Sequence, residues 1–174
     1  MADRIPWIER TFDFGFPVQL HHEMLERLRG TPARIEERVR GLPPDVLTQR
    51  PASGPWSIQE NVGHLLNVEA LFLGRLDDYD AGVEVLRPAD MSNRKTHEAK
   101  HNERPIESIL TAFRQERGKL VGRLEQLDPD RFGQTIHHPR LDKPMRIVDM
   151  MYFLAEHDDY HLARVTELLA ELAE

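Results

Sequence analysis

The apolar residues of this chain are spaced mainly as in amphipathic α-helices, and few segments alternate as strands do. Proline and glycine residues divide the chain into four helix-length segments. The first segment, residues 20–42, contains Gly30, which is a plausible end of one helix. Thr31 and Pro32 would then begin another as its N-cap and first helical residue. One kinked helix fits this segment equally well.

The second segment has the clearest start, because Ser57 and Glu60 have the spacing of a capping box. In that arrangement each side chain accepts a hydrogen bond from the backbone N–H of the other residue. A long run with helical apolar spacing follows at residues 58–79, and residues 81–105 then form a polar connection.

The remaining two segments give a third helix that begins at Pro105 and ends near Leu127, and a fourth that begins near Pro144. A second polar connection, residues 131–144, lies between them. These four helices predict an all-α four-helix bundle with long polar connections and an extra N-terminal segment. We expect residues 1–174 to form a single domain.

Composition restricts the chemistry that this bundle can perform. The chain has no cysteine, so a bound metal would need histidine or carboxylate ligands. A net charge of −7 argues against nucleic acid as a partner, since its phosphates attract lysine and arginine. No apolar stretch reaches the roughly 18 residues of a transmembrane helix, and no signal peptide is evident. We therefore predict a soluble, cytoplasmic protein that does not bind membranes.

One short motif resembles a zinc protease site. Residues 97–101 read HEAKH, and histidines at i and i+4 on a helix, with an adjacent glutamate, can bind zinc and activate water. The surrounding sequence is polar and Pro105 follows closely, so little would hold these residues against a core. We interpret them as a solvated loop in which His97 or His101 could cover a substrate pocket formed elsewhere.

Three other histidines fit a metal site better. His157 and His161 lie within an apolar helical stripe of the fourth helix, so both rings should face the core. Buried imidazoles need polar partners or a metal. His64, on the inward face of the second helix, is the natural third ligand, and Glu60 and Asn67 lie about one turn from it on either side. Asn67 is a candidate pocket residue.

Three imidazoles without thiolates suit zinc or nickel, with iron or manganese as alternatives, and leave a coordination position open. A water bound there would have its pKa lowered to about 7, which supplies hydroxide at neutral pH. Glu60 is a weak candidate for the catalytic base, because the capping box explains it more simply.

The segments WSIQENVGHLLNVE and AEHDDYHLARV together resemble the DinB/YfiT superfamily of small metal-binding bundles. The resemblance implies a frequently dimeric four-helix bundle with a divalent metal at His64, His157 and His161. It also implies a metal-dependent hydrolase, or an S-transferase or isomerase that uses a low-molecular-weight thiol, acting on a small molecule. Cationic residues in the pocket would favour an anionic thiol. A noncatalytic metal-binding protein of the stress response, or a dimerisation module, is the alternative.

Overall fold

The computed structural model describes residues 4–52 and 54–172. Four long helices form the bundle: α1 (His21–Val39), α3 (Ile58–Ala81), α5 (Ile106–Glu125) and α6 (Ile147–Glu171). The connections contain two short helices and an antiparallel pair of strands: α2 (Pro44–Thr48), α4 (Arg94–Glu98), β1 (Thr135–His138) and β2 (Lys143–Arg146).

The long helices pack as a bundle in which α1 and α3 each lie against both α5 and α6. The predicted all-α four-helix bundle is therefore confirmed, and the two-stranded sheet is a small addition to it. None of the described helices combines the length and apolar character needed to cross a bilayer.

Helix α1 continues through Gly30 and Pro32, so the first segment forms one helix. Pro32 has no N–H to donate to the carbonyl of Leu28, one turn earlier. Arg117 of α5 supplies the missing donor, since its Nη1 lies 2.9 Å from the Leu28 oxygen. A contact from another helix thus satisfies the carbonyl that proline leaves free.

A fully buried ion triad links three of the long helices. Arg117 of α5 binds Glu69 of α3 and Asp158 of α6, with a shortest separation of 2.7 Å in each pair. Thr31 of α1 also donates to Asp158, at 2.7 Å. Asp158 is therefore a residue of the bundle core. Its neighbour Asp159 lies nearer the surface and pairs with arginines of α1.

The predicted start of α3 is confirmed. Ser57 Oγ accepts from the Glu60 N–H at 3.1 Å, and Glu60 accepts from the Ser57 N–H at 2.9 Å. The helix ends at Gly82, whose φ of 64° is left-handed and favours glycine.

The fourth long helix begins at Ile147, three residues after the predicted start, because residues 143–146 pair with β1. The second polar connection therefore contains a hairpin. Burial of Ile136 and Met145 in the core stabilises the hairpin against the bundle, and His138 is buried beside them. The sequence offers no apolar pattern that would indicate the burial of His138.

The N-terminal segment, residues 4–20, lies against the first half of α6. Lys143 donates to the Phe12 carbonyl at 2.6 Å, and Arg146 donates to the Phe14 and Phe16 carbonyls at 2.7 and 3.0 Å. These contacts position Trp7 beside His157, with their ring centroids 5.1 Å apart.

Candidate metal centre

Three buried histidines converge between α3 and α6. His64, His157 and His161 each offer a ring nitrogen, and these three atoms all lie within 4.8 Å of one another. His64 Nε2 and His157 Nε2 are 3.2 Å apart. Two nitrogens bound to one tetrahedral zinc, each at about 2.0–2.1 Å, would be separated by about 3.4 Å. The observed spacing fits a divalent metal.

In two of these histidines, the second ring nitrogen, Nδ1, already has a hydrogen-bond partner. His161 Nδ1 lies 2.9 Å from Asn61 Oδ1, and the Asn61 amide nitrogen donates to the Ser57 carbonyl at 2.8 Å. Because the Asn61 oxygen can only accept, His161 Nδ1 carries the proton and Nε2 is free to bind a metal. His64 Nδ1 lies 3.1 Å from Thr96 Oγ1. This hydroxyl oxygen can likewise accept a hydrogen bond from Nδ1–H, which leaves His64 Nε2 free to bind a metal.

The three imidazoles are neutral, which is the form that binds metals. Burial, helped by the charges of Arg117 and Arg140, lowers the pKa of His157 to about 3. Burial also holds the pKa values of His64 and His161 well below their ordinary value, and the neighbouring histidines add to this effect. His157 Nδ1 is buried and has no hydrogen-bond partner among the described residues.

A cavity of about 780 Å³ opens directly onto the three histidines. Its walls are largely aromatic and aliphatic, and include Trp7, Trp56, Val68, Leu71, Phe72 and Phe153. Trp56 lies 4.8 Å from His64 between ring centroids, so it borders the site.

The predicted pocket residues have three different positions. Asn67 lines the cavity. His97 is exposed on α4 and does not line it, although its ring lies 6.0 Å from that of Trp56. His101 is buried, and its ring lies directly against Gly63. A side chain at position 63 would collide with this ring. The interpretation of this segment as fully solvated is therefore wrong for His101.

The HEAKH residues do not form the continuous helix that a zinc protease requires. Helix α4 ends at Glu98, and Lys100 has a left-handed φ of 48°. The rings of His97 and His101 therefore do not share one helical face, and neither belongs to the histidine cluster.

Glu60 is engaged elsewhere. Arg50 donates to its two carboxylate oxygens at 2.6 and 3.0 Å, in addition to the capping-box bond from Ser57. Burial raises the pKa of Glu60, but these hydrogen bonds outweigh it and bring the pKa below its ordinary value. Such a carboxylate is a poor base, and Glu60 does not line the cavity. Its contacts explain it as a capping residue.

Sequence reasoning missed several residues of the cavity wall: Trp7, Arg75, His138, Arg140 and Tyr160. Arg75 could have been found, because it follows His64 by eleven residues, close to three helical turns, and so shares its face. The other four reach the cavity from the N-terminal segment, the hairpin and α6. No local pattern identifies them.

Fold and site together define a class of protein: a four-helix bundle with a three-histidine cluster suited to a divalent metal. Residues 27–165 match the DinB superfamily, so the chain belongs to that family and the predicted resemblance is confirmed. No curated protein matches the sequence at a significant level.

Several solved structures share the fold. YfiT from Bacillus subtilis, described as a probable metal-dependent hydrolase with an unusual four-helix bundle topology, is 17% identical over 94% of both chains, with a TM-score of 0.78. ClbS, a colibactin self-resistance protein solved with double-stranded DNA, is 15% identical over 86% of this chain and 94% of its own, with a TM-score of 0.66. The mycothiol-dependent maleylpyruvate isomerase is 9% identical over 88% of this chain and 62% of its own, with a TM-score of 0.67. At these identities the likenesses establish the fold alone.

Replacing Asn61 by alanine should weaken metal binding by about 10–100-fold, because His161 would lose the acceptor that orients its ring. Competition with a chelating indicator measures this affinity. Asn67→Ala is the matched control, since Asn67 lies on the same helix and forms no hydrogen bond to the three imidazoles among the described residues. Equal affinities in the two variants would show that Asn61 does not orient the ligand.

Proposed function

We propose that the protein is a metal-dependent enzyme in which His64, His157 and His161 hold a divalent metal. Zinc and nickel suit this donor set best, and iron and manganese are alternatives. The observation that carries the proposal is the convergence of three neutral imidazoles on the wall of a cavity large enough for a small organic substrate.

An open coordination position favours catalysis over a structural role. Within residues 4–52 and 54–172, no fourth histidine or carboxylate joins the cluster. Three protein ligands leave room for water or substrate, whereas structural sites are usually closed by four. A noncatalytic metal-binding or dimerisation module is therefore the second candidate.

The residues around the cluster have distinct parts in this proposal. A divalent metal held there would supply a nucleophile at neutral pH, as hydroxide or as the thiolate of a thiol cofactor. Asn61 and Thr96 orient two of the imidazoles, and Trp7 and Trp56 limit the access of water. Asn67, which lines the cavity, would contact the substrate.

Two reactions fit this site, and the charge of the cavity wall bears on the choice between them. YfiT, which shares the fold, is described as a probable hydrolase, and the isomerase that shares it is named for its dependence on mycothiol. Arg75, Arg140 and Lys95 line the cavity, whereas Asp90 is the only carboxylate among the described lining residues. This excess of positive charge favours transfer through an anionic low-molecular-weight thiol over hydrolysis of a neutral substrate.

Metal content tests the proposal directly. It should be measured on protein without a histidine tag for the parent, His64→Ala, His161→Ala and His97→Ala. We expect stoichiometric metal in the parent and in His97→Ala, and loss of metal when either ligand is removed. Metal lost from His97→Ala but retained by His161→Ala would contradict the site and support the HEAKH motif instead.

An activity screen then separates the two reactions. Thiol-transferase activity that depends on the metal and disappears in His161→Ala would support the transferase, and esterase or amidase activity would support the hydrolase. A metal that remains bound with neither activity in the screen would favour the noncatalytic module. A homodimer, a cytoplasmic location, a single domain and the lack of a nucleic-acid partner stay predictions.

A further inference from the structure

One part of the cavity wall lies away from the cluster of His64, His157 and His161. It carries N–H groups that have no hydrogen-bond acceptor among the described residues. Arg75 lies eleven residues after His64 on α3, which is about 16 Å along the helix axis. His138 and Arg140, at the end of the hairpin strand β1 and in its turn, line the same cavity. Apolar side chains, including Val68, line the cavity between the turns of α3 that carry His64 and Arg75.

Arg75 is almost fully buried, with 1% of its surface exposed, and it forms no ion pair with any residue that the structure describes. Its Nε donates to the Arg87 carbonyl at 3.3 Å, but its Nη1 has no hydrogen-bond partner among the described residues. The nearby Asp78 forms its ion pair with Arg87 and not with Arg75, because Arg87 binds both of its carboxylate oxygens. Burial lowers the pKa of Arg75 to about 10, so the guanidinium remains charged at neutral pH. A buried unpaired charge is costly and calls for a counter-ion.

The contacts of His138 determine which of its ring nitrogens carries the proton. Its Nδ1 accepts from the Leu141 N–H at 3.2 Å, so in the neutral ring the proton is on Nε2. That Nε2 is buried and has no acceptor among the described residues. Burial, followed by the positive charges of Arg75 and Arg140, lowers the pKa of His138 to about 3. The ring is thus a neutral donor near two cations.

Arg140 adds a second guanidinium. It is half-buried, lies 5.7 Å from the centre of the Phe153 ring and forms no ion pair within the described part of the chain. Asp90, the carboxylate of the lining, stays anionic, since hydrogen bonds from Ser92 and from the backbone of Arg94 lower its pKa. Within the described part of the chain, however, it forms no ion pair with Arg75 or Arg140.

We propose that Arg75, Arg140 and the Nε2–H of His138 form a subsite for an anionic oxygen group, a carboxylate or a phosphate, of an elongated substrate or thiol. The planar guanidinium fork matches both groups. The apolar wall accommodates the middle of the ligand, and its reactive end reaches the three histidines. This inference deepens the proposed function and rests on it, because both assign the cavity to one ligand.

The two tryptophans of the chain, Trp7 and Trp56, both line the cavity, so intrinsic fluorescence reports its occupancy. Octanoate, octyl phosphate and neutral octanol are suitable probes of the subsite. The titrations should use metal-free protein treated with a chelator, and also the His161→Ala variant, so that a metal cannot hold the carboxylate. We expect saturable binding of octanoate or octyl phosphate and much weaker binding of octanol.

Arginine variants locate the anion. Arg75→Met and Arg140→Met should each weaken binding by about 10–100-fold, the range expected for a lost hydrogen bond to a charged group. Arg131→Met is the matched control, because Arg131 pairs with Asp80 outside the cavity lining and should leave affinity unchanged. Thermal unfolding of Arg75→Met should show no loss of stability, since the change removes an unpaired buried charge. If Arg75 had only a structural role, the Tm of Arg75→Met would instead be lower than that of the parent.

Equal binding of octanol and octanoate, or equal affinity in the parent and both arginine variants, would overturn the subsite. Tighter binding of octyl phosphate than octanoate would support it and assign it to phosphate. The proposed function fails separately: anion binding without stoichiometric metal in the parent would overturn the metal site alone. Stoichiometric metal without anion binding would overturn this inference alone.

Discussion

Replacing Arg117 by alanine is expected to lower the free energy of unfolding by about 3–5 kcal/mol. The change leaves two carboxylates, Glu69 and Asp158, buried without their shared cation. Burial already raises the pKa of Glu69 to about 7 against the opposing pull of Arg117. Without the guanidinium, at least one carboxyl group must take up a proton or the core must admit water.

The same substitution also removes a donor from α1. Arg117 satisfies the Leu28 carbonyl, which Pro32 leaves without its usual helical partner. A buried acceptor left unsatisfied costs about 1–3 kcal/mol on its own. The expected loss therefore combines an electrostatic effect with a broken contact between α5 and the middle of α1.

Urea unfolding of the parent and variants, analysed by linear extrapolation, measures this loss. Arg123→Ala is the matched control, because Arg123 also lies on α5 but pairs with Asp77 and Asp80 near the surface. Such exposed pairs contribute about 0.2–1 kcal/mol. A loss in Arg117→Ala no larger than that in Arg123→Ala would show that the buried triad is not an important source of stability.

The second large effect is the loss of stability in acid that His138 should cause. Its pKa is about 3 in the folded protein, whereas the unfolded chain should bind a proton near the ordinary value of about 6.5. Because the folded pKa is the lower one, the unfolded state binds more protons as the pH falls from 6.5 towards 3. Stability must therefore decrease over that window, by about 1.4 kcal/mol per pH unit at most and about 3 kcal/mol in total between pH 6.5 and 4.

His138→Asn should remove this contribution, because asparagine does not titrate and its Oδ1 can still accept from the Leu141 N–H. Free energies of unfolding at several pH values between 7 and 4 measure the difference in slope. Identical slopes for the parent and His138→Asn would refute the assignment.

The parts of this protein that sequence reasoning predicted correctly depend on local spacing. Ser57 and Glu60 are three residues apart, and the capping box they form needs nothing beyond that helix end. His157 and His161 are one turn apart on an apolar stripe, so any bundle that buries this stripe also buries both rings. The position of His64 in the cluster was predicted in the same way, from the inward face of its own helix.

Other residues escaped prediction because contacts distant in sequence determine their environment. His101 looked solvated within a polar segment, but Gly63 of α3 leaves space for its ring. His138 is buried only because a short hairpin forms against α6, and its strands are too short to show a clear alternating pattern. The burial of Asp158 has no local signal in the sequence, because its cationic partner, Arg117, lies on another helix.

By itself, the sequence determined the four helical segments of the bundle, their buried faces and the three histidines that converge between α3 and α6. These features follow from periodicity and capping, which act over a few residues. Only the tertiary structure decided what surrounds that cluster: Trp7, the cationic wall of Arg75 and Arg140, and the buried triad around Arg117. Burial and pairing of charges depend on which segments pack together, and hydrophobic packing of the whole chain sets that arrangement.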